Sequence, residues 1–290
     1  MAGEVTVTTA EKFIIDTWNP ELNRAIEFKT IIFSMFTDWT KRAKGGDTFH
    51  LVDRHNLTAN TKAAGTDATP ETITEGEQTF GSPVHQIVAQ DIEDIAEVLA
   101  HYDIRSEYTL ASAYSLARAR DVGGAALFDD NTTQTVGVLT AELTDDNLIR
   151  AWQYGADNSA DGEGKGVVSP ACWAGLLKVE KFTNQLYNGD TKGRALHQAQ
   201  IGMVYQATFY QSQLTVGTAP NSSGHLWWGD HFFKVIWKQP KQDSWFNPLA
   251  KSFQLATDQI YGVYERQEAD EAAAATSRAR LHGVRLQSLK

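Results

Sequence analysis

The stretch NLTANTKAAGTDATPETITEGEQTF, Asn56 to Phe80, decides how the rest of the chain is read. It is rich in threonine, has one proline, and holds almost nothing apolar enough to bury. Threonine favours extended backbone, so the composition points to chain held out in water rather than to plain disorder. Gly65, Pro70 and Gly76 mark turns within it. A polar excursion this long inside a compact domain is uncommon, and is usually functional or disordered. Before it, GGDTFHLVD reads as a turn and then a strand alternating at Phe49 and Leu51; after it, TFGSPVHQIVAQ again reads as strand. Two strands joined by a long polar segment predict an extended hairpin, or flap.

Working outward towards the N-terminus, WNPELNRAIEFKTIIFSMFTDW offers Asn19 as a helix cap and Pro20 as first helical residue. Leu22, Ile26, Phe33 and Phe36 recur at helical spacing, which predicts an amphipathic helix with a buried face. The preceding VTVTTAEKFIID has no helical period and reads as an extended arm. Beyond the flap, QDIEDIAEVLAHYD predicts a short helix with Ile92, Ile95, Val98 and Leu99 on its apolar face. A longer helix follows, capped by Asp103, with Leu110, Ala113, Tyr114 and Ala117 as its stripe. From Ile104 to Phe128 it would run ~37 Å at 1.5 Å per residue. Gly123 and Gly124 mark either close packing or a break in it.

From about residue 137 to 266 short elements alternate, a mixed α/β region. Thr144 is placed to cap a helix carrying Leu148, Ile149 and Trp152, and Ser169 with Pro170 to start another after the strand GKGVV. IGMVYQATFYQSQL, FFKVIW and SFQLATDQIYGVYER read as strands, and the last two dozen residues as helix or tail.

The chain of 290 residues is long enough for one large domain or two modest ones. With 42% apolar and 21% charged residues it is ordinary for a soluble globular protein. No apolar run reaches membrane length, and MAGEVTVTTAEKF lacks the basic and apolar regions of a secretory leader. The glycosylation-type matches at Asn56, Asn131 and Asn221 are therefore read as coincidental. Cys172 is the only cysteine, which excludes an intrachain disulfide and a cysteine-based zinc site. Its setting, VVSPACWAGLL, makes it a buried small hydrophobe rather than a nucleophile. A net charge of −10 argues against a nucleic-acid binder acting through bulk charge.

Motifs for chemistry are scarce. DGEGKG, residues 161–166, lacks the spacing and the Ser/Thr of a phosphate loop, and precedes a strand where such a loop follows one; it reads as a solvent turn. His50 and His55 straddle LVDR. His225, Asp230 and His231 lie in GHLWWGDHFF, and a strand or turn could gather them around a metal. An orphan metal-dependent enzyme using the His225–His231 segment therefore stays open as an alternative. Asp129–Asp130 and Asp145–Asp146 suit loop and helix-start roles better than acid–base catalysis. Trp227, Trp228, Phe232, Phe233 and Trp237 read as core or subunit contact, with ligand stacking the lesser use.

The order of these pieces carries more than any one of them. An arm, FIIDTWNPELNRAI, KGGDTFHL, the threonine-rich excursion, QDIEDIAEVLAHYDIRSEYTLASAYSLA, GVVSPACWAGLL, IGMVYQATFYQSQ and ATDQIYGVYE follow one another from about Phe13 to Glu265. That order resembles the major capsid proteins of tailed bacteriophages, which share the HK97 fold. The resemblance implies an α+β chain with an N-terminal arm and first helix (1–44), an E-loop with base strands (45–84), and a peripheral domain with a long spine helix (85–136). It further implies an axial domain (137–266) and a C-terminal segment (267–290). In that family the E-loop lies across a neighbouring subunit, which would give Thr58, Lys62, Gly65, Thr69, Pro70 and Thr72 inter-subunit contacts and order the flap through its partner.

By the same resemblance the chain would be a structural, non-enzymatic protein without metal or cofactor, self-assembling as hexamers and pentamers of an icosahedral shell around double-stranded DNA. It would belong to a virion assembled in the bacterial cytoplasm, with scaffolding, portal and decoration proteins as further partners. Some members cross-link a loop lysine to a neighbour's asparagine. Lys62 is the only lysine between Lys44 and Lys165, but no matching asparagine–glutamate context accompanies it, so it reads as solvated. An encapsulin-like nanocompartment shell of the same fold is the other alternative.

Overall fold

The computed structural model describes residues 30–43, 46, 48–53, 57, 59–73, 76–94, 96, 100, 103–130, 134–160, 162–183, 203–215, 221–269, 278–279 and 282–289. The expected arm, the helix start at Asn19 and Pro20 with Leu22 and Ile26, and Ile95, Val98 and Leu99 lie outside them. Two sheets divide most of the described strands. The first has the order β1 (Thr37–Asp38), β10 (Phe232–Asn247), β11 (Ser252–Glu265), β4 (Val84–Glu93). The second has the order β5 (Thr135–Gly137), β14 (Gly283–Leu289), β9 (Asn221–Trp227), β6 (Gly164–Val168), β8 (Ala207–Gln211), β7 (Met203–Val204). β2 (Phe49–Asp53) and β3 (Gly76–Phe80) make an antiparallel pair of their own, and so do β12 (Glu268–Ala269) and β13 (Arg278–Ala279).

The continuous segments 85–136 and 137–266 do not coincide with these sheets. β10 and β11 leave the second segment to pair with β4, Leu255 opposite Gln90 and Tyr261 opposite Val84. The C-terminal segment, expected as helix or tail, instead supplies β14, which runs between β5 and β9 with Val284 and Leu286 fully buried. QDIEDIAEVLAHYD does not begin as a helix: β4 continues through Glu93, because each residue from Val84 to Glu93 has a partner on β11.

A short helix, α1 (Ile32–Met35), and a long one, α2 (Ile104–Asp130), pack on the first sheet and its neighbours. α2 starts as expected, with Asp103 Oδ1 accepting from Ser106 N at 3.2 Å. It runs unbroken through Gly123 and Gly124, so the glycines mark close packing: a Cβ on Gly124 would stand 3.0 Å from the Phe36 ring and 3.1 Å from Ile32. The predicted stripe is displaced. Leu110 is exposed and Ala113 faces water, whereas Ser112, Leu116, Asp121, Ala125 and Phe128 are buried. The seam against the sheet is partly polar, which hydrophobic spacing does not reveal. Gln90 Nε2 donates to Ser112 Oγ at 3.0 Å, Gln259 Nε2 to the Leu116 carbonyl at 3.0 Å, and the Tyr261 hydroxyl to the Ala119 carbonyl at 3.2 Å. Asp129 and Asp130 fall in the last turn of α2 rather than in a loop.

α1 stops at Met35, short of the predicted run, and Phe36 is already extended and buried. A four-residue helix has almost no intrahelical hydrogen bonding of its own. Its two ends are closed by other elements. Asp121 of α2 accepts from the amides of Ile31, Ile32 and Phe33 at 2.6, 3.0 and 2.9 Å. At the other end Lys234 Nζ donates to the Phe33 carbonyl at 2.8 Å and Lys165 Nζ to the Met35 carbonyl at 3.1 Å. Negative charge at the N-terminus and positive charge at the C-terminus both favour the helix dipole. Burial lowers the Lys234 pKa, with the nearby Asp38 acting against that shift.

α3 (Asp145–Asp157) carries Asp145 and Asp146 in its first turn, and α4 (Pro170–Leu177) starts where Ser169 Oγ accepts from Cys172 N at 3.2 Å. Thr144 makes no side-chain cap, and of the expected α3 face only Leu148 is buried; Ile149 and Trp152 are partly exposed. Cys172, Leu176, Leu148, Val168, Leu226 and Val284 join α3, α4 and the second sheet in one core.

Candidate interaction surface

The flap is rooted by aromatic packing. Phe49 opposite Phe80 starts the β2–β3 pairing, and their rings stack at 5.9 Å. Phe80 meets Phe233 edge-on at 4.9 Å, Phe233 stacks on Trp39 at 4.1 Å, and Tyr264 lies 5.4 Å from Phe80. Polar bonds close the root: Gln78 Nε2 donates to the Glu265 carbonyl at 3.3 Å, Gln78 Oε1 accepts from Gln267 N at 3.2 Å, and the Tyr264 hydroxyl donates to the Gly81 carbonyl at 2.7 Å. Burial raises the Tyr264 pKa, which keeps that hydroxyl a donor.

Beyond the root the chain is exposed throughout residues 59–73. Lys62, Gly65, Thr69, Pro70 and Thr72 all lie in this solvent-facing run, and Thr58 lies outside the described residues. Gly65 sits in a turn at φ +86°, with Thr66 N and Oγ1 both donating to the Ala63 carbonyl. Pro70 lies in chain with neither a turn nor a regular element, and Gly76 opens β3, so neither forms a turn. The sequence reading overlooked apolar side chains here: Val52, Leu57 and Ile73 are all largely exposed. Further exposed apolar residues mark the tip of the β10–β11 hairpin, where Trp245 and Phe246 precede a turn held by Asn247 Oδ1 and Leu249 is 96% exposed.

The histidine segment is closed rather than open. His225 and His231 are both 0% exposed, their rings parallel and 6.2 Å apart within the aromatic core. The carboxylate beside His231 is Glu265 at 3.1 Å; Asp230 is at the turn, partly exposed. Among the described residues no three of His, Cys, Asp and Glu stand close enough to hold a metal ion. Trp227, Trp228, Phe232 and Phe233 are core, with Trp237 packed at the flap root. Cys172 is fully buried; in DGEGKG, Gly162 at φ +90° lies in a bend, but Gly164, Lys165 and Gly166 already belong to β6 with both glycines buried, so the stretch is not the solvent turn expected. His50 pairs with Thr79 Oγ1 at 3.2 Å across the flap strands, and His55 lies outside the described residues. A cleft of about 390 Å³ lies beside α1, lined by residues that include Ser34, Met35, Glu163, Lys165, Thr208 and Tyr210. No helix of the described residues is long and apolar enough to cross a membrane.

No protein-family model matches the sequence, and no curated protein matches it. Solved structures match the fold almost end to end. One of Mycobacterium phage Che8 has a TM-score of 0.79 at 17% identity, over 94% of this chain and 97% of that one. The capsid structure of the cyanophage P-SCSP1u gives 0.75 at 14% identity, over 97% and 94%. The head structure of the Helicobacter pylori bacteriophage KHP40 gives 0.76 at 12% identity, over 98% of each chain. At such identities what is shared is the architecture. The chain has the HK97-like fold, an α+β arrangement.

Proposed function

We propose that this chain is the major capsid protein of a tailed bacteriophage, self-assembling into an icosahedral shell around double-stranded DNA. The observation that carries this is the fold match over at least 94% of this chain to structures that include a cyanophage capsid and a phage head. The flap agrees with it: a rooted hairpin whose outer part exposes apolar residues gains its burial from a neighbour. Lys62, Gly65, Thr69, Pro70 and Thr72, with Thr58, are the residues that would lie across that neighbour. The first sheet with α2 would be the peripheral domain, and the second sheet with α3 and α4 the axial one.

Function then consists of many modest contacts multiplied by closure of the shell. An acidic subunit encloses DNA without gripping its phosphates. The chain has no catalytic role in this reading, and scaffolding, portal and decoration proteins are its expected partners. Expression followed by sedimentation and negative-stain electron microscopy tests it. Closed shells, or rings of five and six subunits, are expected, alone or with a co-expressed scaffold. A small particle under all these conditions, with bound metal or turnover, would sink the reading. Shells that purify with a protein cargo would move it to a nanocompartment. Trypsin is expected to cut at Lys62 in free subunits and to spare it in shells.

A further inference from the structure

We propose that β4 is a docking edge for a second copy of this chain, paired antiparallel about a two-fold axis at Val88, so that the first sheet continues from one subunit into the next. The inference goes beyond the shell reading and rests on the strand itself. Open strand edges invite pairing, and proteins blunt the ones they do not use. The second sheet ends in strands of three and two residues, β5 and β7. On the first sheet β1 covers only Phe233 and Lys234 of β10. The rest of that edge carries Pro240, Lys238 and Lys241, and irregular register between Ile236 and Lys238 and between Lys238 and Lys241.

β4 has none of these defences. It runs ten residues in unbroken register with β11, contains neither proline nor lysine, and no strand of the described residues pairs with its other edge. Ile87 on it is 61% exposed.

Its sequence, VHQIVAQDI from Val84 to Ile92, reads as a palindrome of chemical types about Val88. Laid antiparallel on a second copy, Val84 meets Ile92, His85 meets Asp91, Gln86 meets Gln90, and Ile87 meets Ala89. Apolar pairs and pairs that hydrogen-bond across the strands, here the amides and the histidine with its carboxylate, stabilise a sheet, and each occurs twice. The faces agree as well. His85, Ile87, Ala89 and Asp91 share the solvent face, while Gln86, Val88, Gln90 and Ile92 lie on the α2 side, where Gln90 bonds Ser112. Asp258 of the same chain already holds His85 at 3.1 Å and is flanked by Lys238, whose hydrogen bond, followed by that of His85, lowers the Asp258 pKa. α2 lies over β11 and β4. A helix lying over both strands would stand two to three strand spacings from its copy, ~10–14 Å, which is not closer than the ~8–10 Å that packed helices need.

Disulfide trapping reads the register directly. Residues opposite one another in an antiparallel pair have Cα atoms ~4.5–5.5 Å apart, within disulfide reach. The double variant Ile87→Cys/Ala89→Cys should therefore give a covalent dimer under mild oxidation. Either single variant should not, because like positions stand two residues out of register, more than ~8 Å apart. Native Cys172 is fully buried and serves as an internal blank. Asp91→Lys, which replaces the carboxylate opposite His85 with a group that cannot accept from its ring, should raise the dimer dissociation constant about tenfold in sedimentation. Failure of the double variant to link overturns the proposal, and linking by a single variant overturns the axis at Val88. Shells from an unlinkable double variant would reject β4 pairing and leave the shell reading standing. Linked dimers in a protein that never forms shells would do the reverse.

Discussion

Replacing Asp121 should cost more than any surface charge on this molecule, because its carboxylate closes the end of a helix 90 residues away in sequence. The side chain is buried and accepts three backbone amides, those of Ile31, Ile32 and Phe33, at 2.6–3.0 Å. Asp121→Ala leaves those donors without a partner, two of them buried, at roughly 1 kcal/mol each or more, so a loss of about 3 kcal/mol is expected. Asp121→Asn keeps one acceptor oxygen and should lose about half of that. Urea unfolding of the unassembled subunit, followed by tryptophan fluorescence, measures it: a 3 kcal/mol loss moves the midpoint down by about 1 M. Lys234→Met removes the opposite cap, so the double variant with Asp121→Asn should lose less than the sum of the two single losses. A midpoint within about 0.2 M of the parent for Asp121→Ala, or strict additivity in the cycle, would refute the idea that α1 is held by its two borrowed caps.

Gly155→Ala in α3 should destabilise by about 1–2 kcal/mol although alanine is the better helix former, since its Cβ would stand 2.8 Å from the buried Trp228 ring; thermal denaturation decides the sign. Deleting residues 283–290 removes β14 from inside the second sheet together with Val284 and Leu286, worth ~3–6 kcal/mol for the two side chains alone. Loss of the near-ultraviolet circular dichroism is expected, and a truncated chain with native signal would contradict the central placement. Burial, then the hydrogen bond to Asp145 at 2.6 Å, pushes Tyr205 up to about 12. Its contribution is therefore complete below the ordinary tyrosine value near 10 and fades as pH rises through about 12, so Tyr205→Phe should lower the urea midpoint at pH 8 and match the parent at the alkaline end. Asp145 is partly buried, yet its bonds from Lys181 and Tyr205 hold its pKa below the usual carboxylate value. That contribution is lost as pH falls through the lowered value, and Lys181→Met should flatten the acid limb of the same profile.

What could be read from the sequence was the part whose signal is local. The strand Ser252–Glu265 and the first six residues of Phe232–Asn247, FFKVIW, announce themselves through aromatic and β-branched runs, whereas the continuation through Pro240 to Asn247 does not; Ser169–Pro170 shows through the chemistry of a helix start, and the flap through the lack of anything to bury. β14 was hidden because its alternation, Val284, Leu286 and Ser288 inward, is short and follows an alanine-rich stretch that reads as helix. Strand continuation to Glu93 was hidden for another reason: Ile92 fits a helical spacing and a strand face equally well, and only pairing with Phe253 decides between them. His225 and His231 did come together, but as ring-stacked core. The carboxylate that reaches His231 is Glu265 from β11, which no local spacing could supply.

The displaced face of α2 bears on how the subunit keeps its shape under load. An apolar stripe resting on a sheet tolerates sliding, because dispersion and burial are nearly indifferent to a shift that exchanges one aliphatic contact for another. The seam observed is different. Ser112 and the Leu116 and Ala119 carbonyls each meet one side chain of β4 or β11, and Asp121 meets three amides at α1. A slip of one helical turn, about 5.4 Å, would break all of these together and carry Gly124 away from the one place where Phe36 and Ile32 can approach the helix backbone. Since α1 leads directly through Phe36 and β1 to Trp39 at the flap root, the register of α2 also sets the position of the flap. A strand partner on β4 and a neighbour beneath the flap would then pull on one rigid unit. Polar residues that weaken the helix as a sequence signal are what give that unit a single register.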